Sequence, residues 1–437
     1  MSDLKQFASE IAKETLAAID IGLAMRQKLS RIGSRIQFDA QTIDLAGYDR
    51  VVAIAVGKAA VSMARGFAEL LGHDFSFEGI LVAPRESLAN VAGFRAIGAG
   101  HPIPDAGSIV AARTVIDVLS HCGSRTVVFF LLSGGGSSLL ELPLDSRVTL
   151  EDLRQFNRVL VQCGASINEI NAVRKHASAV KGGRLAAVAR GATKVTIAIT
   201  DVPAGYESAL ASGPTLPDPT TVSDALRVIQ KHNLNSKLPA SIRAIFAQPE
   251  LIPETPKPAN SVFARAHFSL LLTMQDLFHH AHQSAEARGF ITQCDNCTDD
   301  WPVPKAAEYL LKELRQLASE NCGRRVALIS DGELSSPVNG DGLGGRNAAF
   351  VLECVERIAG DKIALLSIGT DGKDGSSPAA GAVADGQTLE RARAAGLDPQ
   401  AFAARSDSYS FFYKLGDAIE TGLTGNNLRD LRILLAD

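Results

Sequence analysis

The feature that most constrains the fold is a set of short apolar runs, each followed at once by glycine or polar residues. The runs are continuous rather than alternating, which predicts strands covered on both faces and hence parallel sheets. A stretch with helical spacing of apolar residues, Ala59–Leu71, follows the first run. The sequence therefore predicts an α/β protein. The runs are Arg50–Gly57, Thr126–Ser133, Lys194–Asp201, Arg325–Asp331 and Lys362–Thr370.

A proline-rich segment separates the first three runs from the last two. Four prolines fall between Pro249 and Pro258, and proline density favours an extended, non-helical path. We therefore expect an N-terminal domain over residues 1–250, a linker over residues 251–260 and a C-terminal domain over residues 261–437. A length of 437 residues suits two large domains.

Composition and charge exclude several classes of protein. The net charge is only −4 and no concentrated basic run occurs, which argues against a dedicated nucleic-acid-binding protein. No apolar run approaches the roughly 20 residues of a membrane span. The charged N-terminal segment predicts an amphipathic helix rather than a secretory signal. We expect a cytoplasmic protein, monomeric or homodimeric, that acts on a small molecule.

The loops after the apolar runs predict an anion site. Ligands of open α/β sheets bind at the carboxyl ends of strands. Ser133, Gly134, Gly135, Gly136 and Ser137 follow a strand and precede an apolar helix start, so backbone N–H groups and hydroxyls could cradle a phosphate. The loop matches neither the Walker A pattern nor the GxGxxG dinucleotide fingerprint, which disfavours a P-loop ATPase or an ordinary NAD enzyme.

Two cations stand where they could serve such a site. Lys58 directly follows the first strand and precedes a helix, which suits a point charge beside an anion. Arg346 lies in a glycine-rich loop and offers a planar fork to a transferring phosphoryl group. The ordinary alternative for each is a solvated surface side chain.

A basic stretch and several acids complete the candidate residues. The spacing predicts one helix over residues 168–184, in which Arg174 and Lys181 share a face that could hold a carboxylate or phosphate. Acids also stand at strand ends, and their spacing does not say which has which role. These are Asp201, Glu333, Asp371 and Asp374.

Taken in order, the motifs resemble those of the class II glycerate kinases, which carry a C-terminal MOFRL domain and are also labelled hydroxypyruvate reductases. The resemblance runs nearly end to end. The motifs are VGKAA at Val56–Ala60, GHPIPD at Gly100–Asp105, LLSGGGSSLL at Leu131–Leu140, INEINAVRKHASAVKGGRLA at Ile167–Ala186, TDVP and ASGPT within Thr200–Thr215, GGRN at Gly344–Asn347, GTDGKDG at Gly369–Gly375, and DSYSFF through LRDL at Asp407–Leu431.

The resemblance implies transfer of the ATP γ-phosphoryl group to D-glycerate with Mg²⁺, which yields 2-phosphoglycerate. It also implies a Rossmann-like N-terminal domain, a separate α/β C-terminal domain and an active site in the cleft between them. Lys58 and Arg346 would be the catalytic pair, and the loop from Ser133 to Ser137 would take nucleotide phosphates. The remaining implied roles are substrate binding by Arg174, Lys175, His176 and Lys181, and a Mg²⁺ ligand at Asp201 or Asp371.

Some positions depart from the family's usual pattern. Members of the family usually have Gly-Asp-Asp-Pro directly after the DVP motif. This chain has Ala204-Gly205-Tyr206-Glu207 there, so those two acids are missing, and Pro378 replaces the acid before the AAGA stretch. With these changes and the older reductase label of the family, three alternatives to glycerate 2-kinase activity remain. The chain could phosphorylate a larger sugar acid, reduce hydroxypyruvate with NAD(P)H, or bind a sugar acid with impaired catalysis.

Overall fold

The structure is a computed structural model that describes residues 3–200, 202, 205–426 and 428–437. Through residue 273 the elements are α1 (Asp3–Ala18), α2 (Ile21–Lys28), β1 (Leu29–Ile32), β2 (Arg35–Phe38), β3 (Gln41–Asp44), β4 (Arg50–Val56), α3 (Ala60–Leu71), β5 (Glu78–Pro84), β6 (Phe94–Ala99), α4 (Ala106–Ser120), β7 (Thr126–Leu132), α5 (Gly136–Leu139), α6 (Leu150–Gln162), α7 (Ile167–Ala177), α8 (Arg184–Val188), β8 (Thr193–Thr200), α9 (Val222–Lys231), α10 (Ala240–Phe246) and β9 (Ala266–Thr273).

The remaining elements follow without a long interruption. They are α11 (Met274–Glu286), β10 (Ile291–Asp295), α12 (Val303–Glu320), β11 (Val326–Asp331), α13 (Arg346–Val355), β12 (Ile363–Gly369), β13 (Gly381–Asp385), α14 (Thr388–Ala394), α15 (Pro399–Ala404), α16 (Ser408–Leu415), β14 (Ala418–Ile419) and β15 (Asp430–Ala436). The five strands expected from apolar runs are present as β4, β7, β8, β11 and β12.

The chain forms two compact units. The N-terminal unit is Ile21–Leu272, and the C-terminal unit combines Met1–Asp20 with Thr273–Asp437. Both are built on a six-stranded sheet with helices, so the expected α/β class with two domains is confirmed.

The N-terminal unit has a sheet in the order β6-β5-β4-β7-β8-β9. The pairs β5–β6, β4–β5, β4–β7 and β7–β8 are parallel, as the continuous apolar runs predict. Every residue of β7 and β8 is buried because helices cover both faces. A second core joins α6, α7, α9 and α10, and β1, β2 and β3 form a small antiparallel sheet.

The C-terminal unit has a mixed sheet in the order β10-β11-β15-β12-β13-β14. The expectation of a parallel sheet is wrong here, because β15 lies between β11 and β12 and is antiparallel to both. Strands β11, β12 and β15 are nevertheless fully buried, as in a parallel sheet. Burial on both faces follows from the helix cover and does not by itself dictate strand direction.

The units differ from the expected domains in two places. Helix α1 belongs to the C-terminal unit, where Lys5 pairs with Asp417 at 2.5 Å in a buried position. The proline-rich segment packs on the N-terminal unit rather than standing free, with Ile252 and Thr255 buried. The chain then forms β9 of the N-terminal sheet before it leaves that unit.

The N-terminal amphipathic segment also divides differently. It is two helices, α1 and α2, which belong to different units.

Among the described residues, no helix combines the length and apolar character that crossing a membrane requires.

Candidate active site

Two of the loops that the sequence singles out lie at the topological switch point of the N-terminal sheet. Numbered along the chain, its strands stand in the order 3-2-1-4-5-6, and β4 and β7 are the central pair, first and fourth. Ligands of such sheets bind outside the carboxyl ends of the strands at this point. Lys58 follows β4 and Ser133 follows β7, so both emerge at the predicted position.

The two loops are joined by direct hydrogen bonds. The backbone N–H of Lys58 donates to the carbonyl of Gly134 at 2.9 Å, and the N–H of Ala59 donates to Ser133 Oγ at 3.0 Å. This close approach requires glycine at position 57, where φ is +133° and a β-carbon would lie 2.1 Å from Ser133 Oγ. Lys58 is thereby held beside the glycine loop.

The glycine loop turns sharply into the short helix α5. Gly135 is in the left-handed region with φ +85°, and the first turn of a helix leaves backbone N–H groups without intrahelical partners. Because α5 has only four residues, its dipole is weaker than the sequence pattern suggested. Ser133 is fully buried, so the groups that this loop could offer to an anion are backbone N–H groups, the Ser137 hydroxyl and the neighbouring Lys58.

A chain of hydrogen bonds connects this loop to helix α7. Ser137 Oγ and Ser212 Oγ are 2.8 Å apart, and Ser212 Oγ donates to Asn171 Oδ1 at 2.9 Å. Arg174 is one helical turn beyond Asn171 and so lies on the same side of α7. Arg174 is half-buried, and its Nε has no hydrogen-bond partner in the described part of the chain.

The other three predicted substrate ligands are occupied internally. Helix α7 ends at Ala177, so Lys181 lies beyond it and does not share a helical face with Arg174, contrary to the expectation. Lys175 forms a buried ion pair with Asp218 at 3.1 Å. His176 is fully buried, with Nδ1 2.8 Å from the carbonyl oxygen of Ala172. These residues are placed to support α7.

Lys181 is held in a buried pair with Glu141. Lys181 is 1% exposed and Glu141 is 4% exposed, and the carboxylate also accepts from Ser178 Oγ at 2.7 Å. Burial lowers the pKa of Lys181, which the negative charge of Glu141 opposes. The pair fixes the segment that leads from α7 to the Gly182–Gly183 turn.

Breaking this pair should destabilise the protein strongly. Lys181→Met leaves Glu141 buried without its lysine, and we expect a loss of about 3–5 kcal/mol in the free energy of unfolding, measured by urea denaturation. The double variant Glu141→Gln/Lys181→Met should recover most of that loss. The exposed Lys237 provides the control Lys237→Met; a loss as small as that control's would contradict the assignment.

In the C-terminal unit, Arg346 is the first residue of α13 and is clamped by two carboxylates. Its Nε and Nη2 donate to Asp430 at 2.5 and 3.2 Å, and its Nη1 donates to Glu333 at 2.8 Å. Hydrogen bonds and charge attraction from these acids raise the pKa of Arg346 despite the opposing effect of burial. About a third of the side chain, 34%, remains exposed.

Asp374 fixes the start of α13. Its carboxylate accepts from the N–H groups of Asn347 and Ala348 at 2.9 and 2.8 Å. Asn347 in turn accepts from Ser367 Oγ of β12 at 2.6 Å. Burial raises the pKa of Asp374 to about 6, although these hydrogen bonds favour its ionised form. Asp374 therefore caps the first turn of α13, the helix that begins at Arg346.

The two predicted metal ligands have different outcomes. Asp201 lies outside the described residues. Asp371 follows β12 and is half-buried, and its Oδ1 accepts from the N–H of Lys373 at 3.0 Å. Asp371 and Asp430 both lie beside Gly369, with oxygens 3.1 and 3.5 Å from the point where its β-carbon would stand. Among the described residues, no group of three metal-ligating side chains is close enough to hold an ion.

A buried aspartate and a buried arginine lie on the adjacent strands β11 and β15 without a direct side-chain contact between them. Asp331 and Arg432 are both 0% exposed, and Arg432 Nη2 donates to the backbone carbonyls of Asp331 and Gly332. In the described part of the chain, neither carboxylate oxygen of Asp331 accepts a hydrogen bond. Burial raises the pKa of Asp331 to about 6, reinforced by Asp299 and opposed by Arg429 and Arg432.

Asp331 should make stability depend on pH. Its folded-state pKa lies above the ordinary 3.8, so its contribution is full below about pH 4 and is lost as pH rises through about 6. Relative to Asp331→Asn, the wild type should lose about 2 kcal/mol of unfolding free energy between about pH 4.5 and about pH 7.5. Chemical denaturation at both pH values measures this, with Asp341→Asn as a surface control. A gap between wild type and Asp331→Asn that does not change with pH would show that Asp331 titrates normally.

Sequence reasoning missed several residues of the C-terminal cluster. Asp430 pairs with Arg346, and Arg429 donates to Asp299 at 2.7 Å. The consecutive Arg429 and Asp430 stand just before the last apolar run of the chain, which was the available signal. They face the ends of β11 and β12 because β15 is antiparallel to both.

Comparison with known proteins adds to this geometry. Residues 7–247 match the model described as Domain of unknown function (DUF4147), and residues 326–430 match the MOFRL family. The chain is 34% identical to D-glycerate 2-kinase of Thermotoga maritima over 98% of both chains. It is 31% identical to glycerate 2-kinase of Pyrococcus horikoshii over 99% of this chain and 97% of that one.

A third relative and a solved structure are consistent with these matches. A protein from Agrobacterium vitis that carries a hydroxypyruvate reductase name is 35% identical over 88% of this chain and 87% of its own length. The crystal structure of glycerate kinase from Thermotoga maritima matches with a TM-score of 0.84 at 33% identity, covering 100% of both chains.

Proposed function

Because the chain belongs to the glycerate kinase family that carries a C-terminal MOFRL domain, we propose that it is a D-glycerate 2-kinase. In this proposal it transfers the γ-phosphoryl group of ATP to the 2-hydroxyl of D-glycerate. The observation that carries the proposal is the position of Lys58 and the glycine loop at the switch point of the N-terminal sheet. The strand order there is that of Rossmann folds, which supports a Rossmann-like N-terminal domain.

The N-terminal unit would bind the nucleotide phosphates. Backbone N–H groups of Gly134, Gly135 and Gly136, with the hydroxyl of Ser137, suit oxygens of a polyphosphate. Ser133 is fully buried and would hold the two loops together through its hydrogen bond with Ala59. Lys58 adds a compact positive charge beside this loop. Phosphoryl transfer requires mainly positioning and charge stabilisation, and this arrangement would supply both.

Arg346 would stabilise charge on the transferring phosphoryl group. Its planar guanidinium can offer paired N–H donors to phosphate oxygens, and its exposed third is available for them. Asp430 and Glu333 hold it in one orientation before substrate arrives. Preorganised donors are effective because they need no rearrangement at the moment of reaction.

The acid's carboxylate would bind Arg174, with the other predicted residues acting behind it. Arg174 has an unpartnered nitrogen and lies on the side of α7 that connects to the glycine loop. Lys175, His176 and Lys181 would position α7 and the following turn through their internal contacts. This assigns substrate contact to one residue of the predicted four.

The carboxylates near Arg346 supply part of the set of oxygen ligands that Mg²⁺ needs. Mg²⁺ is usually held by one or two carboxylates together with substrate phosphates and water, so a full protein cage is not required. Asp371 offers a half-buried carboxylate beside Asp430, and Asp201 would be the other candidate. When bound with ATP, the ion would neutralise phosphate charge.

Phosphorus NMR of the purified protein with Mg-ATP and D-glycerate tests the proposal. A 2-phosphoglycerate signal with an equal amount of ADP is the expected result. A 3-phosphoglycerate signal would contradict the proposed hydroxyl. Turnover only with four-carbon or longer acids would favour the larger-substrate alternative, which the departures from the family pattern at Ala204–Glu207 and Pro378 motivate.

The hydroxypyruvate reductase name of one relative raises a second candidate. Oxidation of NADH or NADPH in the presence of hydroxypyruvate, followed by absorbance, would establish it. We expect no such oxidation, because the glycine loop lacks the dinucleotide fingerprint. Ligand binding without ADP formation would instead indicate a sugar-acid-binding homologue.

A further inference from the structure

A histidine without a role so far lies beside the glycine loop. His101 follows β6 and is half-buried. Its Cδ2 and Nε2 lie 3.0 and 3.1 Å from the point that a β-carbon on Gly135 would occupy, and Lys58 Cγ lies 3.2 Å from the same point. The Cδ2–Nε2 edge of the imidazole and the Lys58 side chain therefore approach the same spot on the loop.

The environment keeps this imidazole neutral. Burial and the positive charge of Lys58 lower the pKa of His101 from 6.5 to about 4, and Glu86 opposes them. A neutral imidazole has one nitrogen that can accept a proton. His101 thus combines an accepting group with a position next to the proposed phosphate site.

Resting on the proposed kinase activity, we propose that His101 Nε2 is the base that removes the proton from the acceptor hydroxyl of the sugar acid. The hydroxyl oxygen forms the new bond to the γ-phosphorus of ATP. The bond from that phosphorus to the oxygen bridging the β-phosphate breaks, and ADP leaves with its electron pair. The hydroxyl proton passes to Nε2 and then to water.

The bound nucleotide would tune His101 for this step. Phosphate oxygens bring negative charge that offsets Lys58, so the pKa of His101 should rise from about 4 toward 6.5 in the complex. A base whose pKa lies closer to the working pH transfers protons more effectively. General base catalysis typically contributes about 10²–10⁴-fold in rate.

The test compares kcat and its pH profile in the full-length protein. His101→Gln and His101→Asn should lower kcat about 10²-fold or more while KM for ATP changes less than about threefold. Wild-type kcat should fall at acid pH with a midpoint between 4 and 6.5, and this acid limb should disappear in both variants. His73→Gln, an exposed histidine of the same unit, is the matched control.

The outcomes separate this inference from the proposed function. An active wild type with near-normal His101 variants that keep the acid limb would overturn the base role alone. A wild type inactive toward every sugar acid would overturn the kinase proposal and the base role with it. Circular dichroism of both variants checks folding, and a loss of kcat with an unchanged pH profile would assign His101 a merely structural role.

Discussion

Replacing Lys58 with methionine should lower kcat about 10³-fold, because the variant lacks the positive charge beside the glycine loop. The methionine side chain is similar in length to that of lysine, so the close contact between the loop after β4 and the glycine loop after β7 can remain. That contact uses the backbone N–H of Lys58, which donates to Gly134 at 2.9 Å, and no side-chain atom of position 58 is required for it. The fold should therefore survive the substitution.

The measurements for Lys58 separate binding from turnover. Steady-state kinetics give kcat, and calorimetric titration with Mg-ADP reports whether the loop still binds nucleotide. Lys58→Arg should recover only part of the activity, since a planar fork does not reproduce a compact ammonium group. Lys237→Met serves as control, and a Lys58→Met kcat within tenfold of wild type would remove Lys58 from the mechanism.

Replacing Arg346 with lysine should lower kcat about 10²–10³-fold. Lysine cannot make the two-point contact with Asp430 and also reach Glu333, so the cation would lose its fixed orientation. Arg357→Lys is the matched control. Arg357 lies two residues beyond the end of α13 and forms an exposed ion pair with Glu353 of that helix.

Removing the Arg346 side chain should also affect stability. Arg346→Ala leaves Asp430, which is 3% exposed, without its partner, and this should cost about 3 kcal/mol of unfolding free energy. The double variant Arg346→Ala/Asp430→Asn should regain stability without regaining turnover. Recovery of turnover in the double variant would show that Arg346 acts only as a counter-ion.

Lys58 illustrates how far the sequence could go toward the site. A lysine directly after a buried strand, together with a glycine-rich loop after another strand, suffices to predict that both lie at one edge of the sheet. The structure agrees because parallel strands bring their carboxyl ends together. The direct contact between the loops follows from the close backbone approach at Gly57, where a side chain would collide with Ser133.

The basic stretch of residues 174–184 shows where spacing misleads. A regular helix would place Arg174 and Lys181 on one face, but the helix ends at Ala177. Lys175 and Lys181 instead form ion pairs with buried carboxylates. Those partners, Asp218 and Glu141, are about forty residues away along the chain. Spacing within a short segment carries no information about such distant partners.

The sequence by itself determined the α/β class, the five buried strands and the loops after β4 and β7, because hydrophobic periodicity and glycine placement are local properties. Only the tertiary structure decided that β15 enters the C-terminal sheet antiparallel, which brings Asp430 to Arg346. It also decided that His101 approaches the glycine loop and that α1 packs in the C-terminal unit. These outcomes depend on contacts between residues that are far apart in the chain. The free energy of packing the whole chain selects such contacts, and the local sequence pattern does not encode them.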